Sequence, residues 1–433
     1  MPLVHGVFTA RLSLVMLGLC LGVMVGCAKQ DIPPPLHTQS DAAGRARRAG
    51  VTYKSLYDFT GESGARPNAG LTVGPKGAAS GVLYGTTPRG GENGDGVVFA
   101  VSTSGRHRVL YSFGGKPDGE EPDAGLIKVN GKLYGTTYAG GGGSECENFD
   151  GEDIGCGTVF EVSPSGTERV LYRFKGDTDG AHPLAALVAV NGAFYGTTSG
   201  GGGSGCKAGA AVGCGTVFEV SASGTERVLY RFKGGSDGSY PKAGLTAIGN
   251  ALYGTTLAGG NQSCDFLHPG CGTVFDVVSG EYHLLHAFKG GADGARPSGG
   301  FVALNGVLYG MTGFGDDNNH GTVFEISPSG KERVLYRFQG SPDGAGPRAS
   351  LSVRNGLLYG TTESGGNGDS GTVFEVSTSG KERILYSFEG PPDGQHPRGS
   401  LVSVKDILYG MTPFGGKSSF CPHGCGIVFK LSP

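Results

Sequence analysis

Beyond the first 27 residues, apolar positions recur in short alternating runs separated by glycine-rich stretches, as in Thr158-Val159-Phe160-Glu161-Val162 and Glu168-Arg169-Val170-Leu171-Tyr172-Arg173-Phe174. Runs of this length, rich in Val, Phe, Tyr and Thr and bounded by Gly, Asn and Asp, predict half-buried β-strands. No long segment after residue 27 has helical periodicity. The pattern predicts an all-β chain.

The runs repeat. A Leu/Phe-Tyr-Gly-Thr/Met-Thr element has its tyrosine at positions 84, 134, 195, 253, 309, 359 and 409. A Val-Phe element has its phenylalanine at 99, 160, 218, 275, 324, 374 and 429, and a Val-Leu-Tyr-x-Phe element ends at 59, 113, 174, 232, 288, 338 and 388. With the apolar run before each tyrosine, every unit holds four strands at a spacing of 50 to 61 residues, which predicts a seven-bladed β-propeller of four antiparallel strands per blade. The third element appears first at Leu56-Tyr57-Asp58-Phe59, before any complete unit, and is missing after Gly426-Ile427-Val428-Phe429. Residues 53–59 are therefore expected to complete the last blade and close the ring. The shortened turn Val277-Val278-Ser279-Gly280-Glu281 predicts an irregular outer hairpin in blade four.

The Leu-Tyr-Gly-Thr-Thr, Gly-Thr-Val-Phe-Glu-Val and Asp-Gly-x-x-Pro elements resemble those of the GloVer-repeat, choice-of-anchor tandem-repeat proteins of bacteria, over about Tyr53 to Pro433. The resemblance implies a repetitive, often exported β fold and no established activity. A likeness to kelch repeats is weaker, because the chain has no tryptophan.

Residues 1–27 read as a lipoprotein-type signal peptide, with Arg11, an apolar run from Leu12 to Val25, and Met24-Val25-Gly26-Cys27 resembling a lipobox. Fourteen apolar-run residues are too few for a comfortable membrane span, which needs about 20. Cys27 is the expected lipidation site, and by resemblance Ala28 directs the anchor to the outer membrane; the alternative is ordinary signal cleavage and secretion. Residues 28–50, with Pro33-Pro34-Pro35, suit a flexible tether, and residues 51–433 form the propeller.

Eighty-five glycines without a three-residue period exclude collagen, and a net charge of −3 without clustered cations in the repeats argues against nucleic-acid partners. A monomer is expected. Eight cysteines fall in pairs within four B–C loops (strands A to D run outward from the axis): Cys146-Cys156, Cys206-Cys214, Cys264-Cys271 and Cys421-Cys425. In an exported chain they predict four local disulfides, each contributing about 2–3 kcal/mol. Zinc is the rival reading, but the histidines do not follow the pairs, so no metal site is expected. No cofactor is predicted either, because no nucleotide or catalytic fingerprint stands in a suitable context. The acidic loops at 145–153 and 316–320 read as solvated loops rather than calcium sites, lacking EF-hand spacing.

A–B and C–D turns are short and repetitive, whereas B–C loops vary, so specificity is expected on the face they share with the D–A loops. The Asp-Gly elements there, beginning at Asp118, Asp179, Asp237, Asp293, Asp343 and Asp393 with Ser63-Gly64 in the first copy, predict structural turns. Around each following proline the residues vary: Arg66, Glu121, His182, Tyr240, Arg296, Gly346 and His396 before it, and Asn68, Asp123, Leu184, Lys242, Ser298, Arg348 and Arg398 after it. These are expected to ring the central funnel and favour an anionic glycan or carboxylate; the alternative is that each arginine pairs with the aspartate of a turn. The leading functional expectation is a non-enzymatic envelope binding or scaffold module with a glycan or protein partner. A propeller enzyme acting on extracellular glycans and a purely structural envelope protein are the alternatives.

Overall fold

The computed structural model describes residues 50–74, 81–143, 146–147, 151–203, 205–208, 211–264, 269–315 and 318–433. The expected signal peptide, Cys27 and nearly all of the tether lie outside them, as do parts of both acidic loops. Seven antiparallel sheets are arranged in a ring. Each holds four principal strands, as in blade three with Val188–Val190, Ala193–Thr198, Thr216–Ser221 and Glu226–Arg231. Among the described residues no helix is long and apolar enough to cross a membrane.

The ring closes as the repeats require. Thr52–Asp58 pairs antiparallel with Ile427–Ser432, from Thr52 opposite Ser432 to Asp58 opposite Ile427. The Phe59 N–H then donates to the Gly426 carbonyl at 3.0 Å. The first described strand is thus the outermost strand of the last blade.

Two phenylalanines per repeat build the interface between blades. The phenylalanine after each outer strand meets the strand-C phenylalanine of the next blade edge to face: Phe113 with Phe160 at 5.1 Å, Phe388 with Phe429 at 5.3 Å and, across the closure, Phe59 with Phe99 at 5.2 Å. All six are fully buried. The strand-C ring lies directly over the glycine of Tyr-Gly-Thr-Thr in its own blade. A Cβ on Gly135, Gly254 or Gly360 would stand 2.5–2.6 Å from it, which is why the repeat needs glycine there. At the axis the small residues Gly70, Gly125, Ala186, Gly244, Gly300, Ser350 and Ser400 bring neighbouring inner strands together around the whole circle.

The Asp-Gly aspartates do act as structural pins. Tyr111, Tyr172, Tyr230, Tyr336 and Tyr386 each donate a phenolic hydrogen bond of 2.6–2.9 Å to the aspartate seven residues on. The same aspartates accept backbone N–H groups, Asp118 from Gly114 and Asp393 from Glu389. Ser63 takes this part in the first copy, accepting the N–H of Thr60 at 3.0 Å.

The outer hairpin of blade four is regular, contrary to expectation. Val278 pairs with Glu281 across a two-residue turn in which Ser279 and Gly280 have φ of 54° and 87°, the conformation that suits a tight hairpin. Elsewhere the longer turn offers a carbonyl to the preceding blade, as Pro164 does to Arg108 and Ala222 to Arg169. The short turn instead leaves a cleft of about 230 Å³ beside Asn191, Tyr195 and Arg227.

Candidate functional site at the funnel mouth

Each D–A loop enters the inner strand through one left-handed residue. Arg66, Glu121, His182, Tyr240, Arg296, Gly346 and His396 all have φ between 55° and 62°, a conformation costing a non-glycine residue about 1–3 kcal/mol unless its surroundings hold it. The surroundings do so in all seven copies. Each backbone N–H donates to the carbonyl just before the glycine that opens strand C: Arg66 to Cys425, Glu121 to Asp95, His182 to Cys156, Tyr240 to Cys214, Arg296 to Cys271, Gly346 to His320 and His396 to Ser370, at 2.7–3.0 Å. Four of these acceptors are the second cysteine of a disulfide.

The four disulfides join Cys146 to Cys156, Cys206 to Cys214, Cys264 to Cys271 and Cys421 to Cys425. They fix the carbonyls that hold the mouth in blades two, three, four and seven. They also point to an oxidising, exported environment.

The side chains at these positions divide into two groups. His182 and Tyr240 turn into the protein, only 1% and 6% exposed. His182 stacks on Tyr138 with ring centroids 4.4 Å apart and Nδ1 3.0 Å from the Tyr138 carbonyl, and burial pushes its pKa down. Glu121 pairs with Arg89. Arg66 lies over Phe414 at 5.7 Å and Arg296 over Phe314 at 6.0 Å. His396 is held by its Nδ1, 2.8 Å from the Glu363 carbonyl.

The residues after the prolines converge on the axis. Asn68 donates to Asp123 at 2.8 Å. Arg348 and Arg398 both bind Glu363, one to each carboxylate oxygen, with Arg398 Nε at 2.9 Å. Burial acts to raise the Glu363 pKa, but the two guanidinium groups outweigh it and hold it below the usual glutamate value. Lys242 is solvent-exposed and meets no carboxylate within ion-pair distance among the described residues. Its pKa is nevertheless held down, first by lost hydration in the concave mouth and then by the charges of Arg348 and Arg296, against the opposing pull of Asp123. Asp123 is pushed up by lost hydration, opposed by the Asn68 amide, Arg398 and Lys242. Groups on blades two, four, six and seven therefore act on one another across the opening.

The mouth contains Lys242, Arg348, Arg398, Arg66, Arg296 and Arg89 against Asp123, Glu363 and Glu121. It is an electropositive rim in which the exposed Lys242 ammonium has no ion-pair partner among the described residues. The expected rival, in which arginines pair with Asp-Gly aspartates, does not describe Arg348 and Arg398, whose partner is Glu363. Sequence comparison of the D–A loops missed Glu363, Tyr138, Arg89 and Phe414. Tyr138 and Glu363 stand at a position at or just after the end of strand B whose seven copies (Pro88, Tyr138, Ser199, Leu257, Gly313, Glu363 and Pro413) vary in the same way and carry the missed signal, and Arg89 and Phe414 follow it by one residue.

The extracellular domain of a protein assigned as a hybrid two-component system from B. thetaiotaomicron matches with a TM-score of 0.53 and 9% identity, covering 88% of this chain and 39% of that one. A gluconolactonase from Xanthomonas campestris matches with a TM-score of 0.36 and 13% identity, covering 70% and 91%. The PQQ-bound aldose sugar dehydrogenase of Streptomyces coelicolor matches with a TM-score of 0.40 and 12% identity, covering 89% and 99%. At such identities the likeness is one of fold alone. No curated protein matches the chain. The repeat itself is found throughout: residues 45–268 and 265–433 match the Gloeobacter/Verrucomicrobia repeat, a span that takes in every blade. The chain belongs to the Gloeobacter/Verrucomicrobia repeat family.

Proposed function

We propose that this chain is a non-enzymatic binding module of the bacterial envelope whose funnel mouth takes an anionic ligand, an acidic sugar or another carboxylate. The carrying observation is the exposed ammonium of Lys242 within electrostatic reach of Arg348, Arg296 and Arg398. A carboxylate placed there would gain charge-assisted hydrogen bonds and relieve repulsion among the cations. Arg66, Arg296, Arg348, Arg398 and Lys242 are the proposed donors, with His396 at the rim and Asp123 setting the polarity of one side. His182, Tyr240 and Glu121 support the rim through their backbone. Calorimetric titration with oligogalacturonate, alongside uncharged galacto-oligosaccharide, tests this reading. Binding of the acidic oligomer alone is expected, weakening with salt and falling at least tenfold in Lys242→Ala/Arg398→Ala. Equal binding of the neutral oligomer, or unchanged affinity in the double variant, overturns it.

The same reading places the module on the outer membrane through lipidated Cys27, as the lipobox-like Met24-Val25-Gly26-Cys27 implies. Expressed with labelled palmitate, the wild-type chain should incorporate label and fractionate with outer membranes. Cys27→Ala should do neither, and label retained by that variant would refute the anchor.

A further inference from the structure

Each boundary between blades carries one variable couple on the outer strands: the residue two before the outer-strand phenylalanine faces the residue six before that phenylalanine in the next blade. Three couples are flat aromatic stacks, Tyr57 with His107 at 4.1 Å, Tyr230 with Tyr282 at 4.3 Å and Tyr386 with Tyr53 at 4.1 Å. Three others bring a glutamate toward a tyrosine already bonded to its turn aspartate: Tyr111, Asp118 and Glu168; Tyr172, Asp179 and Glu226; Tyr336, Asp343 and Glu382. The boundary of blades four and five is different. There the tyrosine is replaced by His286, with Asp293 and Glu332 completing the group.

From this boundary we propose a divalent transition-metal site, formed by an imidazole nitrogen of His286 and one carboxylate oxygen each from Asp293 and Glu332. The three donor atoms lie within 4.8 Å of one another. Rotamer adjustment can bring them to the roughly 3.4 Å that bonds of about 2.0–2.1 Å impose around a tetrahedral ion. His286 Nε2 is already 3.2 Å from Asp293 Oδ2, and these side chains are 16% and 21% exposed. An ion there would be held from one side and keep a position open to water. Glu332 Oε1 is shut off from solvent with no hydrogen-bond partner. The two carboxylates face each other, and Asp293 Oδ2 also accepts the Lys289 backbone N–H at 2.7 Å. A cation satisfies both carboxylates, and the imidazole selects zinc, nickel or a similar ion over calcium or magnesium. At the sister boundaries a phenol donates its proton to the aspartate and offers no comparable lone pair. Among the described residues the site is thus expected at this boundary alone.

The sister boundaries also supply the control. His286→Tyr recreates the tyrosine, aspartate and glutamate group that three other boundaries carry, so the variant should fold. Titrating zinc into the EDTA-treated full-length protein should show one ion bound near neutral pH, with proton release and a rise in melting temperature. Affinity should fall at least about a hundredfold in His286→Tyr and in Glu332→Gln, since loss even of a group that merely orients a metal ligand costs about 10–100-fold. Circular dichroism and an unchanged cooperative melt without metal would certify each fold. No binding to the wild type at sub-millimolar zinc overturns the proposal, as does affinity undiminished in both folded variants.

Discussion

At the scale of single residues, contact distance decides what the repeat tolerates. The glycine of Tyr-Gly-Thr-Thr lies under a buried phenylalanine, and a methyl group on Gly360 would meet the Phe374 ring at 2.6 Å and that of Leu351 at 3.0 Å. Neither neighbour has space to retreat, because Phe374 is fully buried and itself meets Phe338. Gly360→Ala should therefore lower stability by about 1–3 kcal/mol, the usual cost of overpacking, read as a lower denaturant midpoint with an unchanged slope. Aligning the seven copies exposed which positions vary at the mouth but not where their side chains point. His182 and Tyr240 occupy the same left-handed position as Arg66, yet they are buried while Arg66 is exposed. What separates them lies in another blade: Tyr138 provides a face for His182, and Phe414 one for Arg66. A pairing set by two loops from different repeats leaves no mark in either repeat alone.

At the scale of strands and loops the chain was far more legible, because each prediction needed only local pattern. Strand order, closure and the four cysteine pairs all follow from where elements recur and where they are missing. The regular hairpin of blade four escaped because a two-residue turn of Ser279 and Gly280 is a complete turn type, not a damaged copy of the longer one. Deleting residues 51–59 would expose the edge of Ile427–Ser432 and remove the partner of Phe99. The shortened protein should lose its cooperative melt, and an unaltered transition would refute the closure. Reduction of the disulfides should cost about 2–3 kcal/mol per bridge. Because Cys156, Cys214, Cys271 and Cys425 hold the mouth through their carbonyls, reduction should also weaken oligogalacturonate binding before the fold melts.

At the scale of the whole molecule, the couples between blades make stability depend on pH. Lost hydration first, and then the nearby Asp118 and Asp179, raise Glu168 and Glu226 to about 7. Both groups bind a proton more tightly in the fold than in the unfolded chain, where glutamate titrates near 4.3. Their ionisation therefore destabilises the fold as pH rises through about 7, and stability increases as pH falls from about 8 toward 6.5. Below that, His107 and His182, kept neutral by burial with lowered pKa, act in the opposite sense, since they resist the protonation that the unfolded chain accepts. Thermal melts across this range should show the rise in the wild type and a flatter profile in Glu168→Gln/Glu226→Gln. An equal slope in both proteins would rule out these carboxylates as its source.

The pairing of Thr52–Asp58 with Ile427–Ser432 also fixes an order of events in time. The strand made first has no place to go until the strand made last has emerged, more than 360 residues later. Blades one to six can gather as they appear, but the circle stays open, with Phe59 lacking the blade-seven strand that holds it. On the proposed export route, a chain that cannot close early would stay pliant during passage and would lock only once both ends are on the same side. Moving residues 51–59 to the C-terminus, behind Pro433, would abolish that wait. Such a permuted chain should keep the same fold and melting temperature while closing from a single contiguous blade, and pulse-labelled export would show whether the delay serves its passage.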